Sequence, residues 1–316
     1  MKNGISVIIP SYQEAENLKN ILPNLKANLV SIGIPYEILC VDTIEKMDDT
    51  EKVCNECGAT YVKRQGGNNY GDAIRTGFRT AQYEYTVVMD GDGSHDPKYI
   101  KDFYTEIQNG HDLIIGSRYT KGGNTQNPFI LKAMSYCLNV TYRILFGIKA
   151  KDVSDSYRMY HTEQIQALTL ECSNFDIVEE ILIKLALSKK DYDIKEVPIY
   201  FEERKKGVSK RKLGKFILSY IETINRLKKI QRKGNKLANN RNHYIKTYVC
   251  VFSTIVFLSF IMWMALLFQS PRGTQWLTVL SGSDLFADFY NVCRYVANRD
   301  VYFDTINGYG QKIYLP

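Results

Sequence analysis

The stretch Thr86-Val-Val-Met-Asp-Gly-Asp-Gly93 decides the fold. Four residues of strand-forming, largely apolar chain end abruptly on two carboxylates separated by one glycine. An unbroken apolar run of that length is how a strand reads when helices cover both faces of a parallel sheet. Three more runs share the pattern: Ile5-Ser-Val-Ile-Ile9, Glu37-Ile-Leu-Cys-Val41 and Asp112-Leu-Ile-Ile115. Between them the apolar spacing becomes helical, with Leu18, Ile21, Leu22 and Leu25, then Ala73, Ile74, Gly77 and Phe78. Asp96-Pro97 reads as a cap and first turn for a helix through Ile107. Alternation of this kind predicts a doubly wound α/β domain with a mostly parallel sheet and ligands at the carboxyl ends of its strands.

The first strand runs into Pro10-Ser-Tyr-Gln-Glu-Ala-Glu-Asn17 and not into a G-x-G-x-x-G turn, which argues against a nicotinamide or flavin enzyme. A proline and two acids suit a loop that hydrogen-bonds a base and ribose. In Asp90-Gly-Asp92, residues two apart on extended backbone point the same way, so both carboxylates can approach one ion. Hard oxygen ligands suit Mg²⁺ or Mn²⁺, which would also bind the diphosphate of a donor. A solvated acidic turn is the plain alternative. His95 beside it reads as a hydrogen-bonding turn residue and is left out of the metal site.

The chain of 316 residues, 45% hydrophobic and 24% charged, can build one large domain with an appendage, or two modest domains. Its net charge of +7 is concentrated between Lys205 and Lys246. That asymmetry points to a local anionic partner, a membrane surface or a phosphorylated ligand, and away from nucleic acid. The Cys54-x-x-Cys57 pair has no second pair or histidine cluster near it, which disfavours a structural zinc. No secretory signal opens the chain, so the amino-terminal part is expected in the cytosol.

Tyr248–Phe268 carries no charge over the length that crosses a bilayer and predicts a transmembrane helix. Before it, Leu213, Phe216, Ile217, Tyr220, Ile221, Ile224 and Leu227 recur at three- and four-residue spacing among lysines and arginines. Such a helix packs on the domain or lies in the lipid headgroup layer; the basic run reaching Lys246 favours the interface. The expected organisation is a catalytic domain over 1–212, an interfacial helix and linker over 213–246, a membrane span over 247–269 and an extracytoplasmic tail over 270–316. That tail faintly resembles the first outer loop of multi-pass transferases, as if a longer fusion had been cut.

Six stretches in order resemble the family 2 glycosyltransferases, in their dolichyl-phosphate mannosyltransferase and polyprenyl-phosphate glucosyltransferase branch. They are IIPSYQEAEN (8–17), NYGDAIRTGF (69–78), MDGDGSHDP (89–97), GSRYTKGG (116–123), DVSDSYRMY (152–160) and EVPIYFEERKKGVSKRKLG (196–214). The resemblance implies a GT-A-type fold and an inverting hexose transfer, of mannose or glucose, from a GDP-mannose- or UDP-glucose-class donor to a polyprenyl phosphate at the cytosolic membrane face. It implies a nucleotide-sugar pocket with Pro10, Tyr12, Glu14, Asp42, Gly71 and Asp90, and a metal on Asp90 and Asp92. It places Arg118, Arg158, Arg204 and Lys210 toward phosphates, with Ser209 fixing their loop. Asp152, Arg118 and Arg158 become the catalytic set, with Asp152 positioning first and acting as base second; Asp155 is a near neighbour for the same role. Thr43 stands where the family often has a second acid, and Ser94 where some relatives place a further metal-binding side chain. A saccharide acceptor, or a silent nucleotide-sugar-binding scaffold, are the rival readings.

Overall fold

The computed structural model describes residues 1–202 and 213–234. In chain order it contains β1 (Lys2–Pro10), α1 (Ala15–Ile32), β2 (Tyr36–Asp42), α2 (Thr50–Cys57), β3 (Thr60–Lys63), α3 (Tyr70–Thr80), β4 (Tyr83–Val88) and α4 (Tyr99–Gln108). There follow β5 (Leu113–Ser117), β6 (Asn124–Thr125), α5 (Phe129–Phe146), β7 (Arg158–His161), α6 (Thr162–Gln166), α7 (Ile177–Ser188), β8 (Ile194–Pro198), β9 (Tyr200–Phe201) and α8 (Leu213–Gly234).

Seven strands form one sheet in the order β3-β2-β1-β4-β7-β5-β8, and β6 and β9 form a small second one. β7 alone runs antiparallel, wedged between β4 and β5. The order reverses between β1 and β4, which is where a doubly wound sheet opens a crevice for ligands. Register aligns the carboxyl ends there: Ile8 lies beside Val88 and Pro10 beside Val41. The Met89 amide donates to the Ile8 carbonyl at 3.0 Å, carrying the ladder one residue closer to Asp90.

The continuous apolar runs have the expected cause. Ile5, Val7 and Ile9 pack with Leu18, Leu22, Leu25 and Leu29 of α1 and with Ile100 and Phe103 of α4. On the opposite face Ile8 meets α3 so closely that a Cβ on Gly77 would come within 2.5 Å of the Ile8 side chain. Only glycine lets helix and sheet approach that far. The helix expected from Asp96 begins at Tyr99, because the Asp96 carboxylate caps the Lys98 amide (3.0 Å) in a turn ahead of it.

α8 departs from the reading favoured by its charge. Tyr220, Ile224 and Leu227, expected in the headgroup layer, are buried against the domain. The Thr223 hydroxyl donates to Asp176 (2.6 Å), and Lys228 reaches the Leu145 carbonyl. Burying each apolar side chain contributes about 1.5–3 kcal/mol, against about 1 kcal/mol for a basic residue at an anionic membrane. This part of the stripe faces protein. Among the described residues no helix is long and apolar enough to cross a membrane; the expected span and the tail lie outside them.

Candidate active site

Loops at the carboxyl ends of β1, β2 and β4 build one wall. After Pro10, Gln13 takes φ 58°, a left-handed conformation that a non-glycine residue holds only when its surroundings demand it. The demand is visible on both sides. The Ser11 amide donates to the Val41 carbonyl (2.9 Å), and the Ala15 amide to Asp48 (3.0 Å), which also caps Thr50 (2.9 Å). Asn17 donates to Glu14 at 2.6 Å, and Tyr12 projects outward, 38% exposed.

Asp42 ends β2 and is buried. Its Oδ2 lies 3.4 Å from the Tyr61 hydroxyl, whereas its buried Oδ1 has no hydrogen-bond partner among the described residues. Burial raises its pKa, and the Asp48 charge adds to the shift. An orphaned acceptor beside the crevice suits a donor N–H from a ligand, since leaving it unmade costs about 1–3 kcal/mol. Arg64 braces the floor, donating to the Ser11 carbonyl (2.5 Å) and the Asn68 carbonyl (2.5 Å). Thr43 turns its hydroxyl to the Glu45 carbonyl at 2.7 Å. Gly71 has a packing role here: its amide donates to Ser173 (2.8 Å), and a Cβ would strike the Cys172 carbonyl at 2.3 Å.

Asp90 and Asp92 stand half-buried at the head of the next loop. Ser156 donates to Asp90 Oδ1 (3.1 Å), and the Ser94 amide and hydroxyl hold Asp92 Oδ1 (3.1 and 2.6 Å). Ser94 thus orients a carboxylate. The donor set fits Mg²⁺ or Mn²⁺: such ions take one or two carboxylates and fill the remaining positions with water and substrate phosphates. Among the described residues no group of three or more His, Cys, Asp or Glu side chains assembles at one point.

The opposite wall centres on Arg118, one residue past β5. Asp152 grips it three ways, accepting from its amide (2.9 Å), Nε (2.8 Å) and Nη2 (2.8 Å). Nη2 also donates to Ser154 (3.0 Å) and Ser135 (3.3 Å). Asp155 lies 3.1 Å from Nε, and its other oxygen lies 3.1 Å from His95 Nε2. Burial would lower the Arg118 pKa, but the two carboxylates outweigh it and hold the guanidinium charged. Burial would raise the Asp155 carboxyl; Arg118 and His95 prevail and hold it at about 2. The backbone of this loop is pinned as well, Val153 and Ser154 each donating to Asn139 of α5 at 3.0 Å.

One expectation changes and another narrows. Asp152 spends both oxygens on Arg118, an arrangement that suits the positioning role expected of it first and leaves little for the base role expected second. Arg158 does not reach the crevice: it sits on the central β7, fully buried, and donates to the Val178 (2.8 Å) and Val153 (2.5 Å) carbonyls. Arg204, Ser209 and Lys210 lie outside the described residues. Ser135 and Ser154 carried no sequence signal. His95 is a hydrogen-bonding residue as expected, but one at the centre of the site: its Nδ1 accepts from the Asp90 amide at 3.0 Å.

Residues 6–169 match the family described as Glycosyl transferase family 2. The chain is 36% identical over 233 residues to a dolichol-phosphate mannosyltransferase of Pyrococcus furiosus, an alignment covering 71% of this chain and 64% of that one. It is 31% identical over 228 residues to a polyprenol monophosphomannose synthase of Mycolicibacterium smegmatis, covering 65% of this chain and 79% of that one. The chain therefore spans less than two thirds of the Pyrococcus protein's length. Its fold is similar to that of glucosyl-3-phosphoglycerate synthase from Mycobacterium tuberculosis, crystallised with Mn²⁺, UDP and glucosyl-3-phosphoglycerate. The TM-score is 0.56 at 15% identity, over 75% of this chain and 82% of that one. A second structure of that synthase, with Mg²⁺ and UDP, gives a TM-score of 0.54 at 16% identity, over 71% and 79% of the two chains. By the match across its α/β domain and these two sequence relatives, the chain belongs to glycosyl transferase family 2.

Proposed function

We propose that the chain transfers a hexose, mannose or glucose, from a nucleotide sugar to a polyprenyl phosphate with inversion, at the cytosolic face of a membrane. The observation that carries the acceptor class is the pairing of Arg118 with α5. Ser135 on α5 accepts a hydrogen bond from Arg118, and the same helix presents Phe129 (82% exposed) and Tyr136 (57% exposed) to the outside. A buried, permanently charged guanidinium beside exposed apolar side chains suits a ligand with a phosphate at one end and hydrocarbon behind it. A neutral saccharide would use neither feature. The names of the two sequence relatives point the same way.

On this reading Asp42 accepts an N–H of the donor's base, and Tyr12 lies over that pocket. Asp90 and Asp92 hold a Mg²⁺ or Mn²⁺ ion, which would neutralise charge on the departing nucleoside diphosphate. Arg118 orients the acceptor phosphate through Nη1, the guanidinium nitrogen with no hydrogen bond among the described residues. A phosphate monoester is already anionic near neutral pH, so it needs aiming and shielding more than a strong base. Asp152 supplies aim by fixing Arg118. The basic residues from Arg226 to Lys246 precede the apolar Tyr248–Phe268, which by the positive-inside rule favours a cytosolic catalytic domain.

The test is to incubate the full chain with labelled GDP-mannose or UDP-glucose, with and without polyprenyl phosphate, and follow label into the organic phase. Label moving only with the lipid phosphate is expected. Transfer to a neutral sugar instead would install the saccharide reading, and no transfer with intact nucleotide binding the scaffold reading.

A further inference from the structure

Asp155 and His95 are both buried, and neither belongs to the roles above. Together they form the one described side-chain path from the Asp90 loop to Arg118. His95 takes the Asp90 amide on Nδ1, so that nitrogen is bare and the ring proton sits on Nε2. Nε2 lies 3.1 Å from one oxygen of Asp155, and the other oxygen lies 3.1 Å from Arg118 Nε; both are close charge contacts and not aligned hydrogen bonds. The imidazole cannot rotate freely. It stacks on Tyr157 (4.6 Å between centroids) and meets the edge of Phe201 (5.3 Å). Phe201 also lies 5.3 Å from the Arg118 guanidinium carbon, closing the same pocket.

Asp152 by itself already gives Arg118 a bidentate partner, so a second carboxylate is not needed for charge balance. Burying another ion is costly unless it is paired. Its position accounts for that cost: Asp155 sets its charge between Arg118 Nε, which it shares with Asp152, and the imidazole that holds the strand-end turn carrying Asp90. We propose that Asp155 and His95 are a positioning pair that sets Arg118 relative to the Asp90–Asp92 loop, fixing the separation between donor diphosphate and acceptor phosphate. The inference rests on the polyprenyl-phosphate reading for its kinetic consequence and on geometry alone for its structural one. Neither residue touches a substrate in this scheme.

Asp155→Asn keeps the volume and removes the charged tether. With labelled GDP-mannose and polyprenyl phosphate, kcat should fall about 10- to 100-fold, the scale for a misplacement near 1 Å, while the nucleotide-sugar KM stays within about 2-fold. His95→Asn, whose amide oxygen can still accept from Asp90 but which stops short of Asp155, should show the same loss, and His95→Ala a larger one. The Asp155→Asn/His95→Asn double variant should be no slower than either single, because both cut one path. Multiplying losses, or wild-type kcat in a folded Asp155→Asn protein, would overturn the proposal. A second readout needs no turnover: in the ¹⁵N-histidine spectrum of the full chain, Asp155→Asn should shift the His95 Nε2 signal and leave Nδ1 unprotonated. An unmoved Nε2 signal rejects the tether even if wild type transfers no sugar, and absence of wild-type transfer with a shifted signal rejects only the polyprenyl-phosphate reading.

Discussion

The two walls of the crevice handle charge in opposite ways. On the donor side, Asp90 and Asp92 are half-buried and Asp42 keeps an oxygen without a partner among the described residues. On the acceptor side, Arg118 is nearly sealed, with Asp152, Asp155, Ser135 and Ser154 around it. On the proposed reading, the donor-side carboxylates meet a dissociable ion and a leaving diphosphate, a role that calls for access. On the same reading Arg118 aims a nucleophile, and such a cation gains from being fixed beforehand, because the ordering cost is then met in folding and not at each turnover. The donor wall should therefore tolerate substitution in stability and fail in chemistry, whereas the acceptor wall should fail in both.

Arg118→Ala puts the largest strain on that contrast. It strands Asp152 and Asp155 in the interior, and removing one partner of a buried ion pair costs about 3–5 kcal/mol. Denaturant unfolding should show that loss, and transfer activity should vanish. A variant with wild-type stability would mean the carboxylates find water, and the wall is not preorganised.

Asp92→Asn should do the reverse. It retains size and the Ser94 contacts but removes a charged ligand, and loss of several kcal/mol of charge stabilisation lowers turnover by about 100-fold or more. Its melting temperature should stay within a few degrees of wild type, measured by calorimetry beside a Mg²⁺-dependence assay. Full activity in excess chelator would remove the metal from the donor wall.

How far the sequence reached differs between the walls for a related reason. Strands β1, β2, β4 and β5 are continuous apolar runs, and Asp42 and the Asp90–Asp92 pair stand at or just past the ends of two of them, so position along the chain nearly gives position in space. The acceptor wall joins Arg118 to residues 17–37 positions away, and no spacing rule connects them. β7 was unreadable because Arg-Met-Tyr-His puts a fully buried arginine in a central strand, a pattern that looks like surface until the Val153 and Val178 carbonyls are in place. The resemblance placed Arg158 toward phosphates, and nothing in the chain around it signals that it is buried instead. In α8, a three- and four-residue apolar stripe is the same whether protein or lipid covers it. Only the neighbouring α7 and the end of α5 decide for Tyr220–Leu227.

The smallest effect lies beneath the acceptor wall, at Glu179 on α7, buried near Arg158. Burial pushes its pKa up to about 8, with Arg158 opposing the shift, so near neutrality the folded protein holds a proton that the unfolded chain has released. The folded state binds more protons between the ordinary glutamate value and about pH 8. Stability contributed by that proton is therefore full at acid pH, declines as pH rises through this window and is gone above it. Between pH 6 and pH 7 the loss should be about 1 kcal/mol for this one group. Glu179→Gln keeps the neutral shape at every pH and should flatten that part of the stability–pH curve, read by denaturant melts at matched ionic strength. An unchanged slope in the glutamine variant would mean that Glu179 is ionised in the folded protein and paired with Arg158. Charge saturation would then extend from the acceptor wall into the core behind it.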